Sequence, residues 1–124
     1  MFGEMLQHVL TQTPGAVAVT LMGFDGIAID QQMADVPPEG QDPSSWNAAA
    51  IELGHIATQL KTISEGMGTG EVNEVAVRTG ALTTVLRPLT PEYFVALSLA
   101  PGANVGKGRY LMRVLAPKLV KELV

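Results

Sequence analysis

Pro14-Gly15-Ala16-Val17-Ala18-Val19-Thr20-Leu21-Met22-Gly23-Phe24-Asp25-Gly26-Ile27-Ala28-Ile29 carries the architecture of this chain. Within it, Ala16 to Met22 is apolar on both alternating faces. Val17, Val19 and Leu21 share one face, and Ala18, Thr20 and Met22 share the other. A strand apolar on both sides belongs inside a sheet that is covered above and below. Asp25-Gly26 is a hairpin signal, because glycine takes the positive φ that tight turns demand. Ile27 to Asp30 is the returning strand, short and dissolving into Gln31-Gln32.

Upstream, Phe2, Met5, Leu6, Val9 and Leu10 recur at helical spacing, so Phe2 to Thr11 is a helix ended by Pro14-Gly15. Downstream, Met33 to Ser45 holds Pro37, Pro38, Gly40 and Pro43 and is a loop. Asp42 or a following serine caps the next helix, Trp46 to Ile63, whose apolar positions are Trp46, Ala49, Ala50, Leu53, Ile56, Ala57, Leu60 and Ile63. One edge of that stripe is small: Ala50, Gly54, Ala57 and Thr58. A glycine inside a helix costs about 0.5–1 kcal/mol relative to alanine. The close approach of another backbone, a strand below or a second helix, offsets that cost.

Gly66, Gly68 and Gly70 punctuate a turn. Three strands follow: Glu71–Arg78, half-exposed and suited to an edge, then Ala81–Arg87 and Tyr93–Leu99. Asn104 to Leu123 closes the chain as a helix with Leu111, Met112, Leu115, Leu119 and Leu123 inward, and Pro117 is expected to kink or divide it near Arg113. The order is α-β-β-α-β-β-β-α. The fold class is α/β (α+β), a five-stranded mainly antiparallel sheet with helices on both faces, in a single domain spanning 1–124.

The chain has 124 residues, no cysteine and a net charge of -4, with 47% hydrophobic residues. That composition excludes disulfides and thiolate metal sites, and disorder. It also argues against nucleic-acid binding, which calls for basic residues interleaved with aromatics. No apolar run reaches the ~20 residues of a membrane helix, and the N-terminus has no basic signal region, so the expectation is a cytoplasmic protein without membrane insertion. Charge is segregated: through Leu60 there are seven acids and no lysine or arginine, whereas from Lys61 onward the balance is +3.

Chemistry is scarce. No serine sits in a nucleophile elbow, and His8 and His55 have no evident triad partners. Glu52 and His55 show the Glu-x-x-His spacing of di-iron bundles once, where such a site requires it twice. Gly102-Ala103-Asn104-Val105-Gly106-Lys107-Gly108 mimics a phosphate-binding loop, but three residues separate Gly102 from Gly106 where four are required, and Gly108 replaces the metal-binding hydroxyl. No catalytic residue, metal or cofactor is expected. The remaining features, a small-residue helix, an edge strand and a charge split, are features of association.

In this order and spacing the chain resembles the roadblock/LC7 domain family over nearly its whole length. The resemblance rests on Pro14 to Val19 with Phe24-Asp25-Gly26-Ile27-Ala28-Ile29, on the alanine-rich helix Ser45–Ile63, and on Ala103-Asn104-Val105-Gly106 running into Arg109, Leu111, Arg113 and Leu115. It implies a sheet with the first and last helices on one face and the middle helix on the other. It also implies a homodimer that packs middle helices together and pairs third strands edge to edge. The interface would then include Ala50, Gly54, Ala57, Thr58, Val72, Glu74, Ala76 and Arg78. Bacterial members of the MglB and MglC type regulate a Ras-like polarity GTPase in gliding motility, and the short termini here resemble MglC more than MglB. The implied function is a non-enzymatic adaptor that binds an MglB-like roadblock protein, the small GTPase, or both, with Arg109 and Arg113 meeting an acidic partner. The alternatives are a direct GTPase-activating protein and a small-molecule-sensing α/β domain.

Overall fold

The computed structural model describes residues 1–35 and 40–124; part of the proline-rich loop, residues 36–39, lies outside the described residues. The elements are α1 (Phe2–Gln12), β1 (Ala16–Gly23), β2 (Ala28–Met33), α2 (Pro43–Met67), β3 (Val75–Arg78), β4 (Thr83–Pro88), β5 (Tyr93–Leu99) and α3 (Val105–Leu123). All strand pairs are antiparallel in one sheet of order β2-β1-β5-β4-β3, so the strand read as central lies inside and β2 and β3 are the edges.

The two faces have different cores. Leu6, Val9 and Leu10 of α1 and Met112, Leu115 and Leu119 of α3 pack on Val19, Leu21, Val85, Val95, Leu97 and Leu99. Ala50 and Ala57 of α2 pack on Met22, Leu86, Phe94 and Ala96 across the sheet. Large side chains thus join the sheet to two helices on one side, and small ones let a single helix lie close on the other.

The hairpin forms as its sequence demands. Gly26 has φ 88°, and the Asp25 carboxylate accepts from the Ile27 amide at 3.0 Å. Asp42 caps α2 by accepting from the Ser44 amide at 3.0 Å, a bond that holds its carboxyl below the usual carboxylate range. Trp46 is buried, and its indole N–H donates to Gln41 Oε1 at 3.2 Å.

Five expectations need correction. Val17 does not share a face with Val19 and Leu21: a bulge between Ala16 and Ala18 turns it to the α2 side, beside Ala18 and Trp46. β2 does not dissolve at Gln31-Gln32 but runs to Met33, because the Gln31 side-chain amide donates to Thr20 Oγ1 and to Asn47 Oδ1 of α2, both at 2.9 Å. α2 continues one turn past Ile63 and stops at the left-handed Gly68, φ 70°. β3 is four residues, not eight, because Glu71 to Glu74 form no ladder with β4. Pro117 neither divides nor ends α3; it lies on the exposed side, where water can serve the carbonyl it leaves unbonded. Among the described residues no helix is long and apolar enough to cross a membrane.

Candidate association surface

α2 carries two apolar rows, and the structure separates their roles. Trp46, Ala50, Gly54 and Ala57 form the buried row. A Cβ built on Gly54 would lie 2.9 Å from Cε1 and 3.2 Å from Cζ of Phe94, so this glycine lets the helix settle on an aromatic ring of its own sheet. The close approach that Gly54 signals is therefore with the strand below. Ala50, Gly54 and Ala57 face inward and offer no surface to a second copy. Thr58 is exposed, its hydroxyl donating to the Gly54 carbonyl at 3.1 Å.

The second row is Ala49, Leu53, Ile56, Leu60, Ile63 and Met67. Its spacing of four and three residues in alternation is that of the a and d positions of a coiled coil. Leu53 borders the core, but Ile56 is 43% exposed, Leu60 37%, Ile63 56% and Met67 69%. Sequence reading merged this seam with the buried row. The 4-3 spacing was the signal that could have separated them, since one helix face cannot hold both rows at 100° per residue.

β3 lies at the sheet edge and pairs only with β4 among the described residues. Val75 opposes Leu86 of the α2-side core, so Val75 and Val77 point to the α2 face and Ala76 and Arg78 to the other. Ala76, Val77 and Arg78 are exposed. Val72 precedes the strand in a cleft under α2.

Glu74 is not a free edge residue. Its carboxylate accepts from Arg109 Nε at 2.9 Å and Nη2 at 2.6 Å, a bidentate pair tying the start of β3 to α3. The Glu74 carboxylate raises the Arg109 pKa further above its already high value. Arg109 is thus engaged within its own chain, which leaves Arg113, exposed and stacked 5.5 Å over the Tyr110 ring, as the more available of the two arginines. The pair is half-exposed, and its effect on stability is small and screened. Arg109→Ala should lower Tm by a few degrees at low salt, and the difference should vanish near 1 M NaCl, where the screening length is about 3 Å.

The other sequence candidates resolve into structure. Asn104 of the phosphate-loop mimic is the cap of α3, accepting from the Lys107 amide at 3.0 Å. A Cβ on Gly108 would stand 2.7 Å from Leu97 Cδ2, so that glycine brings α3 onto the sheet. His55 and Glu52 form an exposed pair at 3.8 Å, and among the described residues no group of three metal-ligating side chains occurs.

No family profile matches the sequence, and no curated protein matches it. Solved structures do. MglC from Myxococcus xanthus is 41% identical, with 96% of each chain covered and a TM-score of 0.67. A roadblock/LC7 domain from Streptomyces avermitilis is 16% identical, with 97% of this chain and 95% of that one covered and a TM-score of 0.79. The gliding protein MglB from Thermus thermophilus is 17% identical, covering 95% and 84%, with a TM-score of 0.81. The last two matches establish the fold alone. With the sheet order, the placement of the helices and the identity to MglC taken together, the chain belongs to the roadblock/LC7 family, among its MglC-like and MglB-like members.

Proposed function

We propose that this chain is a homodimeric, non-enzymatic adaptor in a small-GTPase switch of bacterial polarity or gliding motility, acting by binding another roadblock protein, the GTPase, or both. The observation that carries this reading is the exposed heptad seam of α2 on the same face as Val75 and Val77 of the free edge β3. A seam of that kind is incomplete in one chain, because a and d side chains leave water only when a second helix supplies the holes. The 41% identity to MglC supports the assignment to a motility system. The small row of α2 takes no part in this interface; Ile56, Leu60, Ile63 and Met67 replace it.

The adaptor reading separates from GTPase activation at the arginines. An arginine finger supplied in trans is worth about 10³–10⁵ in rate. Arg109 is bonded to Glu74, Arg113 stacks on Tyr110, Arg78 lies on the edge strand and Arg87 pairs opposite Val95 inside the sheet. None stands on a mobile loop. Single-turnover GTP hydrolysis by the cognate GTPase should therefore change less than about tenfold on any one Arg→Ala substitution. A loss of about a thousandfold confined to one arginine, at saturating protein, would replace the adaptor with an activator.

A further inference from the structure

We propose that the cleft beneath the overhanging end of α2 binds a small amphipathic anion, an apolar body bearing one carboxylate or sulfonate. The overhang follows from length. The 25 residues of α2 span about 37 Å at 1.5 Å each, whereas the seven of β5 span about 23 Å. The residues of α2 that enter the core end at Ala57, and from Thr58 to Met67 all but Ser64 are exposed, so the last turns lie outside the core before the chain returns to start β3. That return, residues 71–73, the β4–β5 turn at residues 88–91 and α2 itself enclose a cleft of about 560 Å³. Small-molecule sites run from about 300 to 1,000 Å³ and combine apolar walls with a few polar groups.

Phe24, Val72 and Leu89 supply the apolar surface, and Lys61, Asn73 and His55 supply donors at its rim. The Lys61 ammonium and the Asn73 amide are exposed at the mouth of the cleft, and among the described residues neither has a hydrogen-bond or ion-pair partner in the chain, which leaves both free to meet a ligand. An ammonium has three donors and no acceptor, so beside an apolar wall it is best served by an anion. Glu71 is the one carboxylate of the lining among the described residues, so the cleft favours a ligand with a single negative group over one with two. The cleft is separate from the seam. Ala57, Thr58 and Lys61 lie about a third of a turn around the helix from Ile56, Leu60 and Ile63.

The test uses the full chain and the dye 8-anilinonaphthalene-1-sulfonate, an apolar ring system with a sulfonate. Fluorescence should show one saturable site per chain, with a Kd of about 10–100 μM. Thr58→Trp, which fills the cleft from an exposed position, should abolish binding, and Lys61→Glu should raise Kd at least about tenfold. Decanoate should displace the dye, and decyltrimethylammonium at equal concentration should not. Circular dichroism checks that both variants fold; should Thr58→Trp not fold, the exposed Lys61→Glu decides alone. Dye binding that is not saturable, that survives both substitutions, that is insensitive to Lys61→Glu, or that the cationic amphiphile displaces equally overturns the proposal.

Discussion

Ile56→Glu combined with Ile63→Glu should reduce the mass in solution from that of two chains to that of one, 13.1 kDa, with the far-ultraviolet spectrum unchanged. The two isoleucines are 43% and 56% exposed in the single chain and belong to neither core, so the fold does not depend on them. In a dimer closed on the α2 seam they would be desolvated, and a carboxylate placed there would have no partner. Breaking an interface with an unpaired buried charge costs about 3–5 kcal/mol, and each copy would contribute two such charges. The lower figure, for one such charge alone, already corresponds to a weakening of about 10² in Kd. Light scattering at tens of micromolar decides it. A wild-type chain that is monomeric under those conditions, or a double variant that remains dimeric, removes the seam from the interface.

Gly54→Glu should behave in the opposite way, unfolding the chain rather than parting two copies. Its Cβ would stand 2.9 Å from the ring of Phe94, which is fully buried and packed 4.9 Å from the Phe24 ring. The ring has no room to yield, so overpacking costs about 1–3 kcal/mol. The carboxylate would also enter an apolar cluster without a donor, which brings the total to about 4 kcal/mol or more. A domain of this size loses about 4 °C of Tm per kcal/mol, so the expected drop exceeds about 10 °C. Native stabilities of about 5–15 kcal/mol leave the variant barely folded. Were Gly54→Glu to keep its melting temperature and lose only the dimer, the glycine would face a second helix after all. The pair of experiments thus assigns the two apolar rows of α2 to different partners.

Residues with strong local preferences were legible without coordinates. The Asp25-Gly26 turn, the Asp42 cap, the doubly apolar β1 and the strand Tyr93–Leu99 all appear where the sequence places them. Each is governed by contacts within a few residues or by a period that one face must satisfy. Elements held by distant partners were not legible. The end of β2 depends on Gln31 reaching Thr20 and Asn47, and polar residues at strand period read as a loop until those acceptors are known. The pairing of Glu74 with Arg109 joins residues 35 positions apart, so neither could be recognised as engaged.

Sequence alone therefore determined the order of elements, the antiparallel sheet with helices on both faces, the absence of cysteine chemistry and the resemblance to the roadblock/LC7 family. Those conclusions need only periodicity, turn chemistry and composition, which are local properties of the chain. Only the tertiary structure decided which apolar row of α2 meets its own sheet and which faces solvent. Both rows have helical spacing, and what distinguishes them is the Phe94 ring beneath Gly54, brought there from forty residues away. The overhang of α2 and the cleft under it were likewise decided by the sheet being shorter than the helix laid across it, a comparison between elements that no stretch of sequence contains.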